Sequence, residues 1–208
     1  MIDRLVSDLA PVRPISLRRY AATLAALGVV EVALFVVLGQ ARPDLDRAML
    51  LPSFWWKLGG MAFLAAIAVV ATLRSFRPTE SPRRGLHLFA IVGALVLLAG
   101  WGVDVQQTGR ETLAARLMWR DGIECVFAMV VLSLPPAIAL GMMMRRGAAV
   151  DRGASAWAAG LASAAWGAVV FVLNCPHDDP LYVAVWYGVG CALIAFATRR
   201  ILPMVARW

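Results

Sequence analysis

The chain has 208 residues, of which 61% are hydrophobic and only 16% are charged. A soluble globular domain is about half apolar and about a quarter charged, so this composition excludes an ordinary soluble domain. The net charge of +7 does not require a nucleic-acid partner, because the cytoplasmic loops of membrane proteins carry an excess of basic residues.

The apolar residues collect in six blocks of about twenty residues, the length that crosses a hydrocarbon core of about 30 Å. The sequence therefore predicts an all-α integral membrane protein, a bundle of six transmembrane helices. Residues 1–19 form a cytoplasmic segment, and residues 20–208 form the transmembrane domain. The predicted spans are Tyr20–Leu38, Ser53–Leu73, Leu86–Val105, Cys125–Met144, Ala154–Leu173 and Tyr182–Ile201.

The arginines give the orientation. Fourteen of them fall in the amino-terminal segment, the second and fourth loops and the tail, against five in the other loops. Because basic residues accumulate on the cytoplasmic side, both termini are predicted to be cytoplasmic. The fourteen are Arg4, Arg13, Arg18, Arg19, Arg74, Arg77, Arg83, Arg84, Arg145, Arg146, Arg152, Arg199, Arg200 and Arg207.

Two further patterns concern helix packing. A row of small residues in the fifth span predicts close approach of a neighbouring backbone. In the fourth span, Pro135 and Pro136 remove backbone donors and predict a kink near the middle of the helix. The row consists of Ala156, Gly160, Ala164 and Ala168.

The first two predicted spans each contain one charged residue. Glu31 lies deep in the first span and Lys57 about one turn into the second. Since these helices run antiparallel, the two depths differ by only about 5 Å. We favour a buried ion pair that locks the two helices together. The alternative is a proton or ion pathway, because intramembrane charges often mark function, and it would make the chain a small transporter or channel.

The three cysteines differ in depth. Cys191 is in the middle of the sixth span and is expected to be a small buried hydrophobe. Cys125 opens the fourth span and Cys175 follows the fifth, so both lie on the outer face at nearly one level. The space outside a bacterial inner membrane is oxidising. Three interpretations of this pair stay open: a structural disulfide, a reversible thiol switch that reports oxidants, and a soft-metal site.

The metal interpretation rests on Cys125, Cys175 and His177, since thiolate and imidazole suit zinc or cadmium. Their spacing is not that of a zinc motif, so they are weak candidates and no metal site is predicted. A thiol oxidoreductase is disfavoured because the sequence has no C-x-x-C motif. We predict neither an enzyme nor a bound cofactor.

The amino-terminal segment carries an apolar stripe at helical spacing, which Pro11 ends. A helix of about ten residues is marginal alone in water. It is therefore expected to lie against the membrane surface or in the groove of a cytoplasmic protein. The stripe consists of Ile2, Leu5, Val6 and Leu9.

Several short motifs occur together in a fixed order. Asp8-Leu9 is followed by Pro11-Val12-Arg13-Pro14, the second outer cysteine lies in Asn174-Cys175-Pro176, and an aromatic pair, Trp186-Tyr187, comes after it. With the six-span plan, these features resemble the NrsF-type family over essentially the whole chain. That family consists of polytopic bacterial membrane anti-sigma factors named as negative regulators of sigma F.

The resemblance implies a function and a location. The protein would be in the bacterial inner membrane and would hold an extracytoplasmic-function sigma factor through residues 1–19, without contacting nucleic acid itself. Cys125 and Cys175 would sense oxidants or thiol-reactive metals. The sequence leaves the oligomeric state open. The residues implied in sigma binding are Ile2, Leu5, Val6, Asp8, Leu9, Pro11, Arg13 and Pro14.

Overall fold

The computed structural model describes residues 16–107 and 116–205. Every regular element in these two ranges is helical, which confirms the predicted all-α class. Six helices are long and apolar enough to cross a membrane, as predicted. They are α1 (Leu17–Val37), α2 (Pro52–Ser75), α3 (Arg83–Gln107), α4 (Trp119–Arg145), α5 (Arg152–Val172) and α6, which joins α-helical Pro180–Tyr182, π-helical Val183–Tyr187 and α-helical Gly188–Val205.

Polar caps fix where several of these helices begin. The Ser16 side chain accepts a hydrogen bond from the Arg19 amide at 3.4 Å, so α1 starts at Leu17, before the predicted span. The Asp151 carboxylate likewise accepts from Ala154 at the start of α5. Such caps satisfy amide groups that the first turn of a helix leaves without a partner.

Helix α5 is the centre of the bundle and packs against α2, α4 and α6. Its predicted row of small residues is buried, and Gly160 shows why. A Cβ atom built there would lie 2.7 Å from the Ala195 Cα atom of α6. Two turns further along α5, a Cβ atom at Gly167 would lie 2.9 Å from the Met129 carbonyl oxygen of α4. Small residues thus allow two neighbouring backbones to approach α5 closely.

Helices α1 and α3 lie at the periphery. Helix α3 packs mainly on α2, where the Trp56 indole donates to the Val96 carbonyl at 2.9 Å. Helix α1 has a single buried residue, Gly28, and its large apolar side chains, such as Val29 and Val30, are mostly exposed. An apolar helix with so little burial in the protein is suited to contact with lipid.

The loops meet at two opposite ends of the bundle. At one end, the Ala148 amide of the α4–α5 loop donates to the Phe76 carbonyl after α2 at 3.0 Å. At the other end, the Arg42 amide after α1 donates to the Leu173 carbonyl after α5 at 2.9 Å. We call the second end the cysteine end, because it contains Cys125 and Cys175.

The two prolines of the fourth span lie inside α4, as the sequence places them. Pro136 is buried and borders a small cavity of about 50 Å³ between α1, α2, α4 and α5. The kink expected at this pair stays a prediction.

Candidate functional site at the cysteine end

The structure brings Cys125 and Cys175 together. Cys125 lies near the start of α4, Cys175 lies in the loop between α5 and α6, and each has only 1% of its surface exposed. Both are free thiols of one buried cluster, close enough for each to influence the ionisation of the other, and the Cys175 Sγ atom donates to the His177 carbonyl at 3.6 Å. The topology predicted that the two cysteines lie at the same depth, and the structure shows that they are also neighbours within the bundle. Cys191 lies apart from the pair, on α6, partly buried and also free.

The backbone around Cys175 is held by a buried cation, Lys57. This side chain is 1% exposed, and its Nζ atom donates to the carbonyl oxygens of Cys175 at 3.3 Å and His177 at 2.9 Å. The same Nζ atom lies 2.6 Å from a carboxylate oxygen of Asp178. Lys57 is thus paired within the α5–α6 loop, and its charge lies next to Cys175.

The predicted ion pair between Glu31 and Lys57 is wrong. Glu31 accepts a hydrogen bond from the Trp166 indole at 2.9 Å, whereas Lys57 binds Asp178. Two physical reasons explain the difference. Glu31 lies on the face of α1 that packs against α5, and the long side chain of Lys57 reaches beyond the end of α2 into the loop, as buried lysines near helix ends do. The transporter or channel alternative therefore loses the charge pair on which it was based.

A second cation, Arg42, joins the loop after α1 to the same site. Its guanidinium donates to the Cys175 carbonyl at 3.1 Å and to Asp178 at 3.1 Å. It also forms a bidentate pair with Asp44, with both distances 2.7 Å. Hydrogen bonding to this guanidinium lowers the pKa of Asp44 to about 2, and the carboxylates raise the pKa of Arg42. Asp178 therefore pairs with two buried cations, Lys57 of α2 and Arg42 of the loop after α1.

Aromatic rings enclose the sulfur atoms on the α6 side. Tyr182 and Tyr187 are each 1% exposed and belong to the same buried cluster as the two cysteines. The indole of Trp186 donates to the Leu117 carbonyl at 2.7 Å and lies directly on Gly122, where a Cβ atom would be 2.0 Å from the ring. These rings come from the π-helical turn Val183–Tyr187 and the residue before it, in keeping with the frequent occurrence of π-helical turns at functional sites.

Further ion pairs fix the loop between α5 and α6 onto α4 and the residues before it. His177 lies 2.9 Å from Asp121, and its ring stacks on Tyr182 with centroids 4.5 Å apart. Arg116 pairs with Asp179 at 2.6 Å. Within residues 16–107 and 116–205, no three or more His, Cys, Asp or Glu side chains are grouped so that they could hold a metal ion. The weak metal candidate His177 is thus engaged by a carboxylate.

The surroundings of Cys175 favour its thiolate form. A hydrogen bond from the Cys125 thiol, the positive charge of Lys57 and the Tyr187 hydroxyl lower the pKa of Cys175, against the opposing effect of burial. A thiolate is the form of cysteine that attacks oxidants and binds soft metals. A thiol and a readily formed thiolate that lie side by side can be oxidised to a disulfide, which draws the two sulfur atoms to about 2 Å.

With this geometry established, similarity to known proteins decides the family. Residues 5–208 match the model of a family described as negative regulator of sigma F. The chain belongs to the NrsF family. It is 36% identical to the anti-sigma-F factor NrsF of Caulobacter vibrioides (strain NA1000 / CB15N), covering 100% of this chain and 98% of that protein. It is 29% identical to a probable anti-sigma-F factor NrsF of Azospira oryzae (strain ATCC BAA-33 / DSM 13638 / PS), covering 94% of this chain and 91% of the relative. No solved structure matches the chain.

Family membership confirms the resemblance that the sequence motifs indicated, and it assigns the chain to regulators rather than to enzymes. The residues implied in sigma binding lie outside the described residues: Ile2, Leu5, Val6, Asp8, Leu9, Pro11, Arg13 and Pro14.

Sequence reasoning missed two members of this NrsF site, Arg42 and Asp178. Arg42 counts in the sequence only as a basic residue of an outer loop, and Asp178 only as a neighbour of His177. Their roles come from contacts that span more than a hundred residues, 133 and 136 for Arg42. The one local signal is the compact run of polar residues around the cysteine, from Asn174 to Asp179.

Proposed function

We propose that the chain is a membrane-bound anti-sigma factor. It sequesters an extracytoplasmic-function sigma factor at the inner membrane through residues 1–19. It releases that sigma factor when the Cys125–Cys175 pair reacts with an oxidant or a thiol-reactive metal. Membership in the NrsF family, whose curated members are named anti-sigma-F factors, supports the sequestration.

The distribution of charge supports the orientation. The end of the bundle opposite the cysteine end carries the arginines of the α2–α3 and α4–α5 loops and of the last turns of α6. By the positive-inside rule this end faces the cytoplasm, together with the segment that precedes α1. The cysteine end then faces the oxidising side of the membrane.

One observation carries the sensing part of the proposal: two buried thiols of one cluster belong to different parts of the fold. Cys125 belongs to α4, and Cys175 belongs to the loop that leads from α5 to α6. A disulfide between them brings the sulfur atoms to about 2 Å and ties these elements covalently. A reaction of the pair thus changes how helices are held together, which a single surface thiol would not do.

Capture of the sigma factor tests the first part. We would purify the full-length chain from detergent-solubilised membranes, together with its cognate extracytoplasmic-function sigma factor. Deleting residues 2–15 is the matched variant, because it keeps Ser16, whose side chain caps α1. We expect capture by the intact chain, and loss of capture by a deletion variant whose bundle remains folded. Capture that persists without residues 2–15 would contradict the proposed binding segment.

Three cysteine substitutions test the second part. Before oxidant treatment, Cys125→Ser, Cys175→Ser and Cys191→Ser proteins should capture the sigma factor as the parent does. After treatment with hydrogen peroxide, the parent and the Cys191→Ser protein should release it. The other two should retain it, because neither can form the Cys125–Cys175 disulfide. Release by all four proteins would exclude this pair as the sensor.

A further inference from the structure

The thiol pair and the sigma-binding segment lie at opposite ends of the bundle, so the proposed function requires a connection through the membrane. Helix α1 is the described element next to that segment. Residue 16, the first described residue after the segment, caps the start of α1. The contacts at the other end of α1 therefore decide which movements at the cysteines can reach the cytoplasmic side.

The loop after α1 is hydrogen-bonded to three consecutive residues after α5, Leu173, Asn174 and Cys175. The Arg42 amide donates to the carbonyl of Leu173, the Asn174 side chain donates to the carbonyl of Gln40, and the Arg42 guanidinium donates to the carbonyl of Cys175. The Arg42 side chain is only 6% exposed, so water competes little for its bond to the Cys175 carbonyl. A displacement of Cys175 therefore displaces Arg42 and Gln40.

The short connection from Gln40 back to α1 is also fixed. The Gln40 amide donates to the Phe35 carbonyl at 3.1 Å, and the Gly39 amide donates to the Val36 carbonyl at 3.0 Å. Gly39 has a φ of +70°, the left-handed conformation with which glycine commonly ends a helix. The bonds around Cys175 are thus continuous with the last turn of α1, without a flexible spacer.

The closest contacts of α1 with the bundle lie near its middle, where Gly28 abuts the Trp166 ring and Glu31 accepts from the Trp166 indole. The first half of the helix adds apolar packing through Leu17, Tyr20 and Leu24. Gly28 is about 14 Å from the Val37 end and about 17 Å from the Leu17 end at 1.5 Å per residue. A helix held near its middle turns as a lever with nearly equal arms. A small displacement at one end then gives a displacement of similar size at the other.

We infer that Arg42 couples the thiol pair to α1, and that α1 turning about the Gly28–Trp166 contact carries the signal to the segment that precedes it. This inference rests on the proposed function. When the thiols react with a hydroperoxide, the Cys175 thiolate attacks the terminal oxygen. An S–O bond forms, the O–O bond breaks, and the alkoxide takes a proton from water. The Cys125 thiol then attacks the Cys175 sulfur, an S–S bond replaces the S–O bond, and water leaves with the thiol proton.

The net change is the oxidation of two thiols to a disulfide and the reduction of the hydroperoxide to an alcohol and water. The disulfide moves the Cys175 backbone, whose carbonyl accepts from Arg42. Lys57 also binds the Cys175 carbonyl, but it belongs to α2. That helix packs tightly against α5 and does not lead to the amino-terminal segment, so Lys57 is not expected to transmit the movement.

The Arg42→Ala variant tests whether disulfide formation can occur without release of the sigma factor. Asp178 keeps Lys57 as a partner at 2.6 Å, and half-exposed Asp44 turns to water, so no carboxylate is left buried without a cation. We would treat the full-length protein, bound to the sigma factor in detergent, with hydrogen peroxide. The Cys125–Cys175 disulfide would be measured by alkylation and mass spectrometry, and the released sigma factor by immunoblot. The matched control is Arg47→Ala, an exposed arginine of the same loop.

We expect the Arg42→Ala protein to capture the sigma factor and to form the disulfide like the parent, but to release at least fivefold less, the lower limit of typical allosteric coupling of about 5–150-fold. The Arg47→Ala protein should behave as the parent. Parental release by Arg42→Ala, with the disulfide formed, would overturn the inference and point to α4, which carries Cys125. Failure of the parent itself to release would instead contradict the proposed function.

A second variant leaves Arg42 untouched. Inserting two glycines between Gly39 and Gln40 lengthens the connection at an exposed turn and removes the tie to Phe35 while keeping the bonds around Cys175. The control carries the same insertion between Pro78 and Thr79, in the loop at the opposite end. We expect disulfide formation in both proteins, with release lost only in the first. Equal release by both would also overturn the inference.

Discussion

Helices α5 and α1 are both apolar and of equal length, 21 residues, yet their surroundings differ. Most of α5 is buried, and it contacts α2, α4 and α6 through small residues that leave no room for larger ones. Helix α1 has one buried residue and a few polar or close contacts, at Gly28, Glu31 and the loop beyond its end.

The difference shows how one small bundle can combine a fixed frame with a movable part. Interiors packed to the density of α5 resist deformation, because any shift costs many contacts at once. A helix that exposes apolar side chains to lipid exchanges one apolar neighbour for another when it moves, so its position is set by a few specific contacts. Substitutions in α5 should therefore change the stability of the whole bundle. Substitutions around α1 should change only how firmly α1 is held against it.

The largest loss of stability is expected where the loop after α1 contacts the loop after α5. Asp178→Asn removes the carboxylate shared by Lys57 and Arg42, which leaves buried Lys57 without an anionic partner. We expect a loss of about 3 kcal/mol in the free energy of unfolding, measured by titration with sodium dodecyl sulfate in mixed micelles. Asp44→Asn is the control, since that carboxylate also binds Arg42 but is half exposed, and its loss should destabilise the protein clearly less. Equal effects of the two substitutions would contradict this ordering.

A smaller loss of stability is expected where α5 packs against its neighbours. Gly160→Ala places a methyl group 2.7 Å from the Ala195 Cα atom, so α5 and α6 must separate, at a cost of about 2 kcal/mol. Gly59→Ala is chemically identical but adds its methyl group where no atom lies within 4 Å. It should be neutral or slightly stabilising, because alanine favours the helix. Unfolding titrations of the two proteins compare them directly, and a Gly160→Ala protein as stable as Gly59→Ala would show that the contact is loose.

The smallest effect concerns the contact between α1 and α5 inside the membrane. A double-mutant cycle with Glu31→Ala and Trp166→Phe should give a coupling of about 0.6 kcal/mol, the usual size for hydrogen bonds between membrane helices. A parallel cycle that pairs Val30→Ala with Trp166→Phe should give no coupling, because Val30 is largely exposed. A Glu31–Trp166 coupling indistinguishable from that of the Val30 cycle would remove Trp166 as an anchor of α1.

The helices themselves were predictable because each span is a local property of the chain. About twenty apolar residues between polar ones define a membrane helix whatever its neighbours are. The row of small residues in α5 was readable for the same reason, since its spacing places it on one face. The largest boundary difference, at Trp119, arises because α4 extends past its apolar part through a charged turn that contains Asp121 and Glu124.

The site was predictable in depth but not in the plane of the membrane. Topology put Cys125 and Cys175 at one level, and the structure adds that they are adjacent. The same argument failed for Glu31 and Lys57, because equal depth does not say which helix faces which. Nothing in the sequence indicates that Arg42 turns towards Asp178, or that the chain at Val183–Tyr187 widens into a π-helical turn.

The bonds between Arg42 and the cysteine loop also set an order of biogenesis. The partners are 133 and 136 residues apart in the chain. At translation rates of about 5–20 residues per second, roughly 7–27 seconds separate the synthesis of Arg42 from that of Asp178. During this interval α1 is already available for insertion while the loop that anchors its far end has not been made. Under the proposed mechanism, the amino-terminal segment is synthesised before the contacts that control it can form, so regulation begins only once the loop containing Asp178 has been made.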